Sequence, residues 1–289
     1  MNRLNYFAVV LFAALFASSF LLTDAAGLFV NAIAFVIVVS GTLGATFLSY
    51  PVSDIRTAFL VARNSYTRQP PSDHEIINSM LDIAVRSRQQ GFTALEQIEE
   101  QTTVSFLRSA LGMLVDGYKA PEVRDILATE MHYFRQRRAR HEKLFRYMAQ
   151  LAPAFGVAGS VVGLIGMLAG IGDPDVILSS IPIALTSTLY GILLGNFLLT
   201  PIAENISAKT TKELMLQTLI SDGVLAIQQE RNTMKLARKL ESFLTPARRQ
   251  EPAHSLIEIR ERYRALRRDG ETGTETAPSS PIDAKPAQS

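Results

Sequence analysis

The sequence contains no cysteine. That excludes a disulfide framework, thiolate metal ligands and a cysteine nucleophile together. Its four histidines lie outside the apolar stretches and show no HxxxH spacing, so they read as surface or helix-end residues and not as a metal site. There is no GxxxxGK[ST] phosphate loop and no nucleophile–base pair at a sensible spacing. Hydrolytic catalysis is therefore set aside, and the chain reads as a non-enzyme without a bound cofactor. The net charge is only +2, and no basic stripe is interleaved with aromatic residues, so no nucleic-acid partner is expected. No segment of any length alternates with period two, and no repeat recurs at a fixed interval, which removes β-sheet and solenoid architectures.

What is present is apolar. Hydrophobic residues make up 47% of the chain, mean hydropathy is +0.15, and charged residues make up 19%, below the roughly 25% usual in soluble domains. Four stretches reach the length of about 20 apolar residues that a bilayer requires: Leu4–Leu22, Leu28–Leu48, Leu151–Ile171 and the segment IPIALTSTLYGILLGNFLLTPIAE, Ile181–Glu204. The first, with Arg3, an apolar run and then small residues, also has the outline of a signal peptide. The second follows after only Thr23–Gly27, which suggests a membrane hairpin.

Positive charge is confined to three places. Residues 51–150 and 204–289 hold 14 Lys and Arg each, and Arg3 completes the 29. The two short connections, Thr23–Gly27 and GDPDVILSS after the third stretch, hold none. By the positive-inside rule the charged segments and both termini lie in the cytoplasm. The expected fold is an all-α membrane protein. Residues 1–50 form transmembrane helices 1 and 2, 51–150 a large helical cytoplasmic domain, and 151–203 transmembrane helices 3 and 4. Residues 204–245 form cytoplasmic C-terminal helices, and 246–289 a basic and then disordered tail, rich in Thr, Ser, Pro and Ala at its end. Within the cytoplasmic part, Ser72 and Glu75 have capping-box spacing. Ile76, Ile77, Met80, Leu81, Ile83 and Ala84 follow as a helical stripe that Gly91 breaks. Further helices are expected over Thr93–Gln101, Thr103–Gly117, Glu122–Leu151, Ile202–Gln229 and Asn232–Phe243.

The spans carry polar residues but nothing that ionises near neutral pH. The third contains Gly156, Ala158, Gly159, Gly163 and Gly166, small residues that let helices approach closely in lipid, with Ser160 on the same face. The fourth contains Thr186, Ser187, Thr188, Tyr190 and Asn196, and Thr188 is expected to share a face with Leu185, Gly191 and Gly195. A serine or threonine in a membrane helix ordinarily bonds the carbonyl four residues back, so each alone reads as structural. Ser160 and Thr188 together could line a polar seam between two packed helices. An ion pathway ordinarily needs an intramembrane acid or base; a conducting role would require that acid from another chain. Pro153 and Pro201 stand where the third and fourth spans meet cytoplasmic helices, and each removes a helix hydrogen bond.

These segments resemble the A subunit of the bacterial flagellar stator, the MotA/PomA family, within the wider MotA/TolQ/ExbB superfamily. The resemblance runs from about Leu28 to Phe243 and rests on VNAIAFVIVVSGTLGA, RQQGFTALEQIE, MLVDGYKAPEVRDIL, LAPAFGVAGSVVGLIGML, GDPDVI, ALTSTLYGILLGNFLLTPIAE and LISDGVLAIQQERN. It implies a homo-oligomeric ring of A subunits in membrane lipid around a B-type partner. The partner would supply the intramembrane aspartate and a peptidoglycan-binding domain, and ion flow would turn the ring against a rotor switch-complex protein. It further implies an ion path past Ser160 and Thr188, with Thr186 and Ser187 as neighbouring hydroxyls, and conformational coupling at Pro153 and Pro201. Rotor-facing charges would be Arg88, Glu96 and Glu99, with Gln89 standing where many relatives carry a base.

The transported ion is Na⁺ or H⁺; the two hydroxyls favour sodium slightly. Two other readings fit the residues: a motor of the same family powering a non-flagellar process, and a non-conducting membrane scaffold held together by its glycines.

Overall fold

The computed structural model describes residues 3–22, 26–67, 71–90, 104–229 and 233–243, and every regular element among them is helical. Helix α1 spans Arg3–Leu21. A 3-10 turn, Ala26–Phe29, leads into α2, Ala32–Ser49. Then come α3, Val52–Thr67, α4, Asp73–Gln90, and α5, Ser105–Val115. Helix α6 runs unbroken over Ala120–Ala169. Helix α7, Pro174–Ile192, passes through a π-helical segment, Leu193–Leu199, into α8, Thr200–Gln229, and α9 is Thr233–Glu241. Three runs among the described residues are long and apolar enough to cross a membrane: Gly27–Ser49, Ala120–Ala169 and Pro174–Gln229.

Local chemistry sets the boundaries. The Ser72 backbone N–H donates to Glu75 Oε2 at 2.9 Å and the Glu75 N–H to Ser72 Oγ at 3.2 Å, the reciprocal capping box that its sequence predicts. Gly117, at φ +77°, ends α5; its N–H reaches Leu114 O and that of Tyr118 reaches Met113 O, which satisfies carbonyls the helix leaves open. Asp173 caps α7 by accepting from the Asp175 N–H, and Pro174 occupies the first turn, where a missing N–H costs nothing. The helix that carries the fourth apolar stretch therefore starts at Pro174, not at Ile181. GDPDVILSS contributes only its first two residues to a connection that turns through Gly172 at φ +106°.

Two further differences have physical reasons. The long helix expected over Glu122–Leu151 and the third apolar stretch are one helix of 50 residues, because Pro153 is accommodated inside it. Helix α3 escapes an apolar-run reading because its buried positions Ile55, Ala58, Ala62 and Ser65 are spaced by three and four among charged neighbours. The helix expected over Thr93–Gln101 lies outside the described residues, as does the tail 246–289.

The chain divides into two compact units, residues 1–70 with 129–215, and 71–128 with 216–289. The first holds the membrane-length helices and, at their charged end, a core of Ile55, Ala58, Leu144, Phe145, Met148, Ala152, Leu199, Ala203 and Ile206. Phe59 meets Phe145 edge-on at 5.2 Å between ring centroids. Ion pairs of 2.9 Å join α6 to α8 here, Arg138 to Glu213 and Arg146 to Glu204. The second unit buries the expected α4 stripe, Ile76, Ile77, Met80, Leu81, Ile83 and Ala84, with Phe106, Leu111 and Leu114 of α5 and Leu236 and Leu240 of α9. Gly223 of α8 lies against Met80 and Leu240.

Phe145 is fully buried and its removal leaves a cavity. Phe145→Ala is expected to lower the stability of the detergent-solubilised protein by about 3–5 kcal/mol, read as a fall in its thermal unfolding midpoint.

Candidate functional site

Helices α6 and α7 run antiparallel after the Gly172 turn and touch backbone to backbone. The small residues of α6 each face a fixed partner on the returning chain. A methyl group built on Gly163 would sit 2.6 Å from the Ala184 nitrogen, and one on Gly156 would sit 2.9 Å from Ser187 O. One on Gly166 would come within 3.1 Å of Ser180 Oγ. On the other helix, a methyl on Gly191 would be 2.6 Å from Ala152 O. At Gly156, Gly163 and Gly191 contacts this short leave no room for a β-carbon, so these glycines form a ladder that fixes the register of the pair.

Ser160 and Thr188 meet inside this ladder, with Ser160 Oγ and Thr188 Oγ1 2.5 Å apart. Ser160 also donates to Ala184 O at 2.6 Å. Ala184 O is the carbonyl one turn back that Thr188 would ordinarily use, so the neighbouring helix has taken it. A hydroxyl has one proton. With that of Ser160 committed to Ala184 O, Thr188 donates to Ser160 Oγ and keeps both its lone pairs free. The pair can therefore accept a cation or a proton donor and has no further proton to give. Among the described residues no cluster of His, Asp or Glu could hold a metal ion.

Other hydroxyls of the segment behave differently. Thr186 donates to Pro182 O at 2.6 Å and Ser187 to Ile183 O at 2.7 Å, both one turn back on their own helix. Both are buried. Ser187 instead serves the ladder, since a methyl on Gly159 would lie 2.5 Å from its Oγ. Of the four hydroxyls singled out in the sequence, the structure brings two together across the helices and leaves two satisfied within one. Leu185, expected on the Thr188 face, is 69% exposed. At 100° per residue it is Ala184, one position back, that comes round onto the α6 contact.

Pro153 lies inside α6 and cannot supply the N–H that would bond Ala149 O. That carbonyl faces the neighbouring helix: a methyl on Gly195 would sit 2.7 Å from it and 3.1 Å from Pro153 Cδ. Gly195 belongs to the π-helical segment, and both the backbone N–H and the hydroxyl of Thr200 bond Gly195 O, the latter at 2.9 Å. Pro201 follows directly. Two helix irregularities, one proline-made in α6 and one π-helical ahead of Pro201, thus lie side by side. The spacing of the prolines was visible in the sequence; the π segment between Gly195 and Thr200 was not. Of the charged candidates, Arg88 is in the last turn of α4, while Glu96 and Glu99 lie outside the described residues.

Sequence comparison places this geometry. The pattern of the MotA/TolQ/ExbB proton channel family matches residues 96–218. The chemotaxis protein PomA of Vibrio alginolyticus is 31% identical over 223 residues, covering 77% of this chain and 87% of that protein. The chain belongs to the MotA/PomA family. Two solved structures share its fold. The C. jejuni MotAB structure superposes with a TM-score of 0.79 at 22% identity, over 88% of this chain and 98% of the other. The flagellar MotAB stator complex of Bacillus subtilis gives 0.76 at 28% identity, over 84% and 95%. In this MotA/PomA family member the matched region includes α6, the ladder, and both Ser160 and Thr188.

The geometry separates the hydroxyls by cost. Ser160→Ala removes the hydroxyl that bridges the two helices and lets Thr188 turn back to Ala184 O on its own helix, so it is expected to destabilise the solubilised protein by about 0.5–1.5 kcal/mol. Thr186→Val removes a bond that its own helix duplicates and should cost less. Paired thermal unfolding curves in one detergent check the order.

Proposed function

We propose that this chain is the A subunit of an ion-driven flagellar stator, which conducts Na⁺ or H⁺ together with a B-type partner and converts the flow into torque on the rotor. The observation that carries the reading is the Ser160–Thr188 pair. It offers oxygen lone pairs in a tightly packed seam, and no side chain within the apolar stretches ionises near neutral pH. Lone pairs alone strip water from a cation but do not neutralise it; a carboxylate must come from elsewhere. A partner span bearing an aspartate supplies that need, and the Bacillus subtilis relative of known structure is a MotAB stator complex.

In this reading α1 is a fourth span, paired with α2, and both termini are cytoplasmic in the bacterial inner membrane. Several copies surround the partner as a ring, with peptidoglycan anchoring on the partner's side. Arg88, Glu96 and Glu99 face the rotor switch complex, where exposed ion pairs are individually weak and salt-screened, as repeated engagement and release require. Pro153 and Pro201, joined through Gly195 and Thr200, pass motion from the seam to the charged ends of α6 and α8. The chain performs no hydrolytic chemistry and holds no resident cofactor; the ion is its cargo. The hydroxyl pair suits a partly dehydrated sodium ion, whereas the family pattern is named for proton channels, so the ion is a direct object of the test. A non-conducting scaffold would use the same glycine ladder and differs only in giving the hydroxyl pair no task.

Swimming speed of cells that depend on this chain and its partner, measured against external Na⁺ at fixed pH and against pH at fixed Na⁺, is expected to follow at least one ion. The double variant Ser160→Ala/Thr188→Val is expected to lose about tenfold or more of that response, as removal of two liganding oxygens implies, while still reaching the membrane with its partner. Unchanged swimming in the double variant would establish the scaffold reading. Assembly without any swimming in the wild type would move the output away from the flagellum.

A further inference from the structure

Helix α7 is gripped on two sides. One side is the ladder with α6, where Ser160 holds Ala184 O and Thr188. The other is made by Tyr190, two residues beyond Thr188 and so about 200° further round the helix. Its hydroxyl accepts from the backbone N–H of Asn31 at 2.9 Å and donates to Phe29 O at 2.5 Å. Both groups belong to the entry of α2, where the 3-10 turn ends and the helix begins. The N–H of Asn31 precedes the first helical residue and has no place in the α2 ladder. The Asn31 side chain is turned into the helix, where its Oδ1 accepts from the Ala34 N–H at 3.0 Å. In an apolar environment a backbone group left unpaired is costly. One phenol, both donor and acceptor, answers the entry of α2 from a different helix. The ring is held for this by Phe35, edge-on at 6.2 Å and 80°.

We propose that Tyr190 is a positioning residue for the Ser160–Thr188 pair: its hydroxyl pins the entry of α2 to α7 and so fixes the roll of α7 at which Thr188 faces Ser160. The proposal rests on the ion-path reading of that pair. A helix held on one face only can roll about its contact. Held on two faces, it cannot rotate Thr188 away from Ser160 without breaking either the phenol contacts or the ladder. The hydroxyl of Tyr190 itself is occupied by Phe29 and Asn31, so its effect on the ion is indirect.

Tyr190→Phe removes one oxygen and keeps the ring on Phe35. The test compares wild type and variant, each with the partner subunit, in swimming speed against external Na⁺ and against pH. Membrane level and the number of motor-bound complexes are counted in the same cells. With the pin released, the cation concentration giving half-maximal speed is expected to rise about fivefold, the change one net hydrogen bond supports, with maximal speed per motor-bound complex little altered. A purely structural role would instead lower the number of assembled complexes and leave the half-saturating concentration where it is, and that result overturns the proposal. Should Tyr190→Phe fail to assemble, Tyr190→p-aminophenylalanine carries the same test. It keeps a donor for Phe29 but is a poor acceptor for Asn31, so the half-saturating concentration should again rise, and no rise overturns the proposal. A wild type indifferent to both ions would sink the ion-path reading and the positioning role with it. A responsive wild type with an unshifted variant would sink the positioning role alone.

Discussion

Everything in the membrane-length part of this molecule depends on how closely α6 and α7 approach. In lipid no hydrophobic force drives two helices together, since the surrounding chains are as apolar as leucine. Attraction has to come from close packing, and close packing from the absence of side chains. Gly156, Gly159 and Gly163 provide that absence at one-turn intervals on α6, and Gly191 provides it on α7. The approach in turn brings a serine on one helix within reach of a carbonyl on the other, which a separation larger by one methyl group would prevent. The polar contact is thus a consequence of the apolar one.

Much of this was legible in the chain, and what was not has identifiable causes. The capping box at Ser72 and Glu75, the α4 stripe and the glycine face of α6 each rest on periodicity within one helix, which sequence displays directly. The meeting of Ser160 with Thr188 was suggested by shared small-residue surroundings. Its hydrogen-bond logic was hidden, since it depends on which helix takes Ala184 O. The difference between Thr188 and its neighbours Thr186 and Ser187 is a matter of facing, and three adjacent hydroxyls look alike on a page. Helix α3 has the same spacing of buried positions, but three of the four, Ala58, Ala62 and Ser65, are too small to stand out as an apolar stripe. Tyr190 stood in plain view as a polar residue in an apolar run, but its partners, Phe29 and Asn31, are some 160 positions earlier and offer only backbone atoms, which carry no sequence signature.

The prolines illustrate how an interruption is tolerated. Pro153 strips a donor from Ala149 O, yet α6 continues for its full 50 residues. The carbonyl is set against Gly195, which lies within the π-helical segment Leu193–Leu199 of the neighbouring chain. Each helix carries its defect at the same level, and Thr200 closes the second with two bonds to one carbonyl. A regular helix on either side would leave the other's irregularity without a partner. π-helical turns inside α-helices are frequent at functional sites, and this one lies between the hydroxyl seam and the charged ends of the two helices.

The short turn at Gly172 has a consequence for biogenesis. With only a few residues between α6 and α7, the two segments enter the bilayer as one helical hairpin. The hydroxyls of Ser160 and Thr188, which a solitary helix would expose to acyl chains, are already spent on each other and on Ala184 O within it. The outward faces, Val157, Val161, Leu164, Ile165 and Leu168 on α6 with Leu178 and Leu185 on α7, are apolar. The hairpin therefore partitions into lipid as a self-satisfied unit, its polar seam turned inward.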